Sequence, residues 1–527
     1  MIHNMNAEPG SIFLGIDLGT SSCKVALVDS SGNILAMSVN SYPLSVSGDG
    51  RAEQNPEDWW NAVVTGMRDV VKTAGTGKIS SIGVTGQWSG SVAVDMNGDP
   101  IAPAIVWMDT RGEEIIREIS GGFPSISGYR VDKLVRWLRI TGGAPAHSGK
   151  DSLAHILYMK RFMPEIYERA YKFLEPKDFI VSRLTEKILA SWDNVALLWS
   201  TDNRDSSHVV YDQRLIRMNS LDAAKLPDLV SPLSVAGKVK EDVSSITGIS
   251  RDASVISGCG DTQCSLIGVG AVDDNDVHIY LGTSSWVTAH VPYKKTDIFH
   301  NIASLPSAIP GKYFIAAEQE NACNCLEYVS KLLSIEGRDK YNLIDTECRA
   351  SPASSNGLLF LPWLFGERAP VENPFLRGGF FNMGLNNTRS DLIRSVMEGV
   401  AMNSRWLLGI VEKFIGKKAD QVLMAGGGVI STTWSQIYAD VLDRRILVVD
   451  NPRYSTVRGA ALLSAVGSGF MKITDLRILR EKTMTFNPDS SNTEKYERLF
   501  RQFISYYKNN SSSMREMNSR EVRFTPK

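Results

Sequence analysis

The chain predicts an α/β protein made of two similarly built domains, and three observations carry that reading. At 527 residues it is too long for a single hydrophobic core. Apolar runs of strand length come first as a meander and then alternate with helical patterns, the order of a mixed sheet covered by helices. The pentapeptide Leu18-Gly19-Thr20-Ser21-Ser22 returns as Leu281-Gly282-Thr283-Ser284-Ser285, each copy between two strand-like runs. The offset, 281 − 18 = 263, is half the chain, as expected of two domains that open with the same hairpin and meet near 268–276.

The elements follow in order. Residues 12–17 form an alternating apolar run, and Leu18 to Ser22 supply turn chemistry. Residues 23–29 resume the strand, Ser30-Ser31-Gly32 turns again, and 33–39 make a third strand. Asn55-Pro56-Glu57-Asp58 starts a helix over 59–71, with acids in its first turn. Strands are predicted over 79–85 and 91–95. In the second half 357–362 reads as a buried strand and 366–379 as a loop rich in Gly, Pro and charge. Residues 390–414 give a long helix with Leu392, Val396, Val400, Leu407, Leu408 and Val411 on one face. A strand over 421–425 empties into Gly426-Gly427-Gly428, followed by a helix over 433–442, a strand over 446–449 and a small-residue helix over 457–467. From 487 the chain is polar, predicting a surface helix over 493–507 and a frayed tail. The domains are then 11–270 and 271–485, with a polar C-terminal piece at 486–527.

Charge and hydropathy exclude several classes of function. With 57 Lys+Arg against 58 Asp+Glu, nucleic acid and anionic membrane surfaces are not expected as partners held by bulk charge. Mean hydropathy is −0.12, and no apolar run approaches the roughly 18 residues of a membrane helix. Residues 1–10 are polar and carry an acid, unlike a secretory leader. A soluble cytoplasmic protein is expected. Six cysteines are too few for a disulfide framework, Cys323-Asn324-Cys325 lacks C-x-x-C spacing, and the seven histidines are scattered. Buried thiols in a reducing compartment fit better than a structural metal.

Six stretches could carry chemistry. In Asp17-Leu18-Gly19-Thr20-Ser21-Ser22-Cys23-Lys24, a tight turn offers backbone N–H groups and hydroxyls to an anion, Asp17 could serve a divalent cation, and Lys24 adds positive charge. A plain hairpin turn explains the same residues, but the echo at Thr283-Ser284 suggests two turns clamping a polyphosphate. Asp261, after Gly258-Cys259-Gly260, is either a helix N-cap, a position Asp favours strongly, or a base at a strand's C-terminal end beside the seam. Gly426-Gly427-Gly428 either packs strand on helix or lets a ligand approach the backbone. Gln87-Trp88-Ser89 and Trp107-Met108-Asp109-Thr110-Arg111 mix aromatic faces with hydrogen-bonding groups, as a sugar requires, although each tryptophan could equally be core. Two commoner nucleotide motifs fail. Gly77-Lys78 has Lys72 where a P-loop needs glycine, and the third glycine of a dinucleotide fingerprint would fall at Gln263.

Taken in order, these segments resemble the FGGY carbohydrate kinases, which phosphorylate sugars and polyols with MgATP. Residues 16–24 look like the family's first phosphate loop, 86–90 its sugar loop, and 107–111 its W-x-D-x-R segment. Residues 152–184, with Phe173-Leu174-Glu175-Pro176-Lys177-Asp178, are similar to its central helices. Residues 258–261 resemble the catalytic loop and 281–285 the second phosphate loop. Gly366-Glu367-Arg368-Ala369-Pro370 with Arg377-Gly378 looks like its G-E-R-x-P…R-G stretch, and 426–428 with Trp434 and Gln436 its adenosine segment. The likeness spans 11–480.

The resemblance implies two ribonuclease H-like domains of the actin-type ATPase superfamily flanking an interdomain cleft. It implies Asp261 as catalytic base and Gln87, Trp88, Ser89, Asp109 and Arg111 as sugar-binding residues. Asp17, Gly19, Thr20, Ser21, Lys24, Thr283, Ser284, Gly426, Gly427 and Gly428 would bind ATP, with Asp17 serving Mg2+. Length and the stretch over 173–184 look most like xylulose kinases, yet those carry Met-His where this chain has Trp88-Ser89, and Asp-Asn where it has Asp261-Thr262. The implied substrate is D-xylulose, another ketopentose or a polyol; a homodimer is left open. Two other readings compete: an actin-like ATPase switch, and a sugar sensor without catalysis.

Overall fold

The computed structural model describes residues 11–74 and 79–519. The polar stretch 1–10, the Gly77-Lys78 pair and the end of the tail at 520–527 lie outside the described residues. The first sheet has six strands, in the order Val235–Lys238, Ser254–Ile256, Ile79–Gly86, Ile12–Leu18, Ser22–Asp29, Ile34–Ser41. The last three are the antiparallel meander, with Leu18 opposite Cys23. Ile79–Gly86 runs parallel to the first strand, placing Gly86 beside Leu18, and Ser254–Ile256 runs parallel to it in turn. Parallel pairing brings C-terminal ends together, so the first hairpin turn and the loops after Gly86 and Ile256 all emerge at one end of the sheet.

The second sheet repeats this plan. Its eight strands run Thr296–Asp297, Ile302–Pro306, Tyr313–Gln319, Ser285–Val291, Val277–Leu281, Gln421–Ala425, Arg445–Val449, Thr483–Phe486. Leu281 faces Ser285 across the hairpin, and Gln421–Ala425 joins Val277–Leu281 in parallel. Each half thus has a hairpin whose first arm is backed by a parallel strand. The long helix Arg389–Ile415 is fixed at its start by a capping box between Thr388 and Asp391 and ends at Gly416, whose φ of +80° suits glycine.

Three expectations change. The strand expected over 91–95 is only Val92–Val94, paired with Lys172–Leu174 outside the main sheet. Leu359–Leu361 likewise stands apart, paired with Gly379–Phe381. The C-terminal helix runs Thr493–Asn518, well past residue 507, and is not merely superficial. Its Tyr496, Leu499 and Phe503 enter the second core, where Phe503 meets Trp363 at 5.2 Å between ring centroids. Spacing of i, i+3 and i+7 puts those three on one face.

The helix Ser455–Gly467 lies late in the chain yet packs on the first sheet, joining Phe13, Ala26 and Val28 in one cluster with Val457, Ala460 and Ala461. Its approach is close enough to require glycine. A Cβ on Gly83 would lie 1.9 Å from the Ala460 carbonyl oxygen, and one on Gly459 would lie 1.9 Å from that of Cys264, in the helix Asp261–Ile267. Gly83→Ala and Gly459→Ala are each expected to cost about 1–3 kcal/mol of unfolding free energy or more, read as a lower urea midpoint. Gly409→Ala, in the long helix where a Cβ meets nothing within 4 Å, is expected to hold or raise it.

Candidate active site

The first hairpin turn is held from several sides. Gly19 N–H donates to the Ser22 carbonyl at 3.1 Å, the Tyr42 hydroxyl donates to the Gly19 carbonyl, and Gln54 Nε2 donates to that of Thr20 at 2.8 Å. The Thr20 hydroxyl accepts from Trp107 Nε1 at 3.0 Å, while Ser21 is exposed. Asp17 and Lys24 face each other across the hairpin, and Lys24 Nζ reaches Asp17 Oδ2 at 2.9 Å. The Asp17 charge outweighs burial and holds Lys24 well above its ordinary pKa.

In the second turn the Gly282 and Thr283 carbonyls accept from Cys323 and Ala322 N–H, leaving Thr283 exposed and Ser284 partly so. Gly426 has φ +105°, and a Cβ there would lie 2.3 Å from the Leu281 carbonyl; one on Gly428 would meet the Leu281 side chain at 2.6 Å. Those two glycines serve hairpin packing, the plainer of their two readings. Gly427 alone faces open space. Burial raises the Tyr280 pKa, Lys24 pulls it down, and Asp17 and Asp261 push it up, so Tyr280 of the second hairpin lies within electrostatic reach of the first.

Asp261 is not the N-cap of the seam helix but its first residue: Gly260 takes the cap position, in extended backbone, and no side chain caps the helix. Its Oδ1 accepts from Thr262 N–H at 2.7 Å and Thr262 Oγ1 at 3.3 Å, and Oδ2 has no hydrogen bond among the described residues. Burial, then the like charges of Asp17 and Glu318, raise its pKa to about 7. A helix N-terminus favours a carboxylate by only about 0.3–1 kcal/mol, too little to offset that.

A buried network missed from sequence positions this loop. Lys177, fully buried, pairs with Asp178 and donates to the Ser257 carbonyl at 2.8 Å. Asn194 Nδ2 donates to Asp178 at 3.0 Å, and Asp193 Oδ2 accepts from Gly260 N–H and Gln263 Nε2, both at 3.0 Å. The only signal was a Lys-Asp pair at the head of an apolar helix, and nothing in the chain order ties it to residue 257.

The expected sugar residues divide. Gln87 Nε2 donates to Gln54 Oε1 at 2.9 Å and leaves its own buried Oε1 unpaired among the described residues. Trp88 Nε1 donates to the Asn194 carbonyl at 2.6 Å, and its half-buried ring meets Phe314 of the second sheet at 6.1 Å. Ser89, at φ +64°, donates to the Lys150 carbonyl at 2.7 Å. Asp109 and Arg111 are spent on structure: Asp109 accepts from Ala52 N–H at 2.9 Å and from Arg111, which also holds Glu53 at 2.6 Å. Unforeseen neighbours complete the wall. Arg368 pairs with Glu318 and, at 3.0 Å, with Glu320. All six cysteines are free thiols, and only Cys323 is partly exposed.

Comparison with known proteins gives this arrangement its class. Residues 12–268 match the model of the FGGY family of carbohydrate kinases, N-terminal domain, and 277–468 its C-terminal domain. A xylulose kinase of Staphylococcus epidermidis is 28% identical over 94% of this chain and 96% of its own. A gluconokinase of Bacillus subtilis is 25% identical over 94% and 95%. The solved structure of a ligand-bound xylulose kinase from Lactobacillus acidophilus superposes with a TM-score of 0.83 at 22% identity, covering 96% of this chain and all of that one, which speaks to fold alone. The protein is a carbohydrate kinase. The chain belongs to the FGGY family of carbohydrate kinases, with its two ribonuclease H-like domains of the actin-type ATPase superfamily. No helix among the described residues is long and apolar enough to cross a membrane.

The raised Asp261 pKa predicts a cost of holding charge there. A folded pKa near 7 above an unfolded value near 3.8 means the native state binds more protons between those values, so stability falls as pH rises through them. Asp261→Asn is expected to raise Tm at pH 8, with the gain shrinking as pH approaches 4.

Proposed function

We propose that the protein transfers the γ-phosphoryl group of ATP to a hydroxyl of a small sugar, a ketopentose such as D-xylulose, with Asp261 as the base. The observation that carries this reading is the Asp261 carboxyl itself: half-buried at the seam, one oxygen uncommitted, with a pKa near 7. A base of that pKa is ionised over half the time just above neutrality and still has driving force to take an alcohol's proton as its oxygen attacks phosphorus. Phosphoryl transfer asks little covalent chemistry of the protein, so positioning and charge do the rest.

ATP would lie across the seam with its phosphates between the turn at Gly19, Thr20 and Ser21 and the turn at Thr283 and Ser284. Gly427 would lie open to the adenosine end. Lys24 is poised between Asp17 and an incoming phosphate. Among the described residues no three His, Cys, Asp or Glu side chains converge as a metal site, so Mg2+ would ride on the phosphates with Asp17 as one carboxylate and supply neutralising charge. Trp88, tied to Asn194 and touching Phe314, spans the two halves beside the catalytic loop, where closure excludes water that would otherwise take the phosphoryl group. The xylulose kinase relatives favour a ketopentose. Gluconokinase relatives keep other sugars and polyols as the second reading.

Asp261→Asn is expected to cut sugar-dependent ADP release by about 10²–10⁴-fold while ATP still binds. In the wild type, kcat/KM for the sugar should fall as pH drops below about 7, because protonated Asp261 cannot accept a proton. ADP release at the same rate without sugar would favour an ATPase switch instead. Thr283→Ala should raise KM for ATP and leave that for sugar in place; the reverse would mean the two sites are exchanged.

A further inference from the structure

We propose that Lys150 is a specificity-determining residue of the sugar site: its ammonium receives hydroxyl oxygens of the substrate, and its surroundings select an uncharged sugar or polyol over a sugar acid. This rests on the kinase reading above.

Lys150 immediately precedes Asp151 and the helix Ser152–Phe162, and its carbonyl holds the Ser89 hydroxyl, which fixes its backbone against the loop at 87–90. Its Nζ makes no hydrogen bond or ion pair among the described residues. It lies 5.9 Å from the centroid of the Trp107 ring, whose own nitrogen is tied to Thr20 in the first phosphate turn. Burial and the Arg368 charge pull its pKa down, while Glu320 and Glu318 push it up from a distance. Both glutamates are already engaged by Arg368. A half-buried ammonium with no carboxylate partner has three donors to offer a ligand.

Two further facts define that ligand. The Lys150 carbonyl holds Ser89, the adjacent Trp88 holds the Asn194 carbonyl, and Asp193 beside it holds Gly260 N–H, one residue before Asp261, so Lys150 and Asp261 border the same loop cluster, with Glu318 bearing on both. Lys150 and Arg368 set two positive charges against three carboxylates, Glu318, Glu320 and Asp151, the last pushed up by burial to about 6, so above that pH the group already holds an excess of negative charge. A neutral, oxygen-rich molecule satisfies the ammonium without adding to that excess. A substrate carboxylate would add a negative charge beside two glutamates in a half-buried space, where repulsion is weakly screened.

The test is steady-state kinetics with D-xylulose, D-ribulose, ribitol and D-gluconate. The wild type should use a neutral member of the panel at least 100-fold better in kcat/KM than gluconate. Lys150→Met should raise KM for that substrate about 10- to 100-fold, the loss of one charge-assisted hydrogen bond, with a smaller change in kcat and none in KM for ATP. Lys150→Arg, which keeps charge and donors, should recover part of the loss; a merely structural role would be served as well by Met as by Arg. Lys150→Gln guards against a Met variant that fails to fold. An unchanged sugar KM in Met and Gln variants, or a preference for gluconate, overturns the proposal and leaves the kinase reading standing. ADP release unstimulated by every sugar in the wild type overturns both.

Discussion

The position of Asp261 depends on backbones meeting without side chains between them. Gly459 brings the helix Ser455–Gly467 against the Cys264 carbonyl, and Gly83 brings the same helix against the first sheet. The helix that starts at Asp261 is therefore held by a partner seated on the first sheet. That partner comes from the second half of the chain, after the strands Gln421–Ala425 and Arg445–Val449, so each half of the chain supports the other's geometry. A single added methyl at either glycine would have to move a main chain, not a side chain.

From that packing follows the electrostatics. Asp261 is half-buried at this seam, and burial dominates the rise of its pKa to about 7. Around it stands a ring of committed groups: Lys177 with Asp178, Asp193 with Gly260, Arg368 with Glu318. Buried charges of this kind survive only when paired and hydrogen-bonded. Among the described residues Lys150 Nζ, one oxygen of Asp261 and the buried Gln87 Oε1 are without a hydrogen bond in this region, and atoms of that kind mark where a ligand's own polar groups belong.

Much of this architecture was legible in the sequence, because it rests on local periodicity and on a repeat. The doubled Leu-Gly-Thr-Ser-Ser turn became two hairpins of the same construction, and the strand over 421–425 and the helix over 390–414 lie within a residue of their expected bounds. What was not legible depends on partners distant in sequence. Asp109 and Arg111 look like free sugar-binding groups until Ala52 and Glu53 arrive from another strand. Gly426 and Gly428 look like a ligand cradle until Leu281 fills their space. The network under Asp261 joins residues 177, 193 and 257, which no motif spacing connects. The C-terminal helix was undervalued because its polar composition masked the Tyr496, Leu499 and Phe503 stripe.

The central claim is that the seam makes an ordinary aspartate into a base poised at neutrality. The most direct measurement is the carboxyl titration of Asp261 by carbon-13 NMR on aspartate-labelled protein, with the signal assigned by its loss in Asp261→Asn. A midpoint near 7 is the result this account predicts. A midpoint near 4, that of a solvated aspartate, would contradict it.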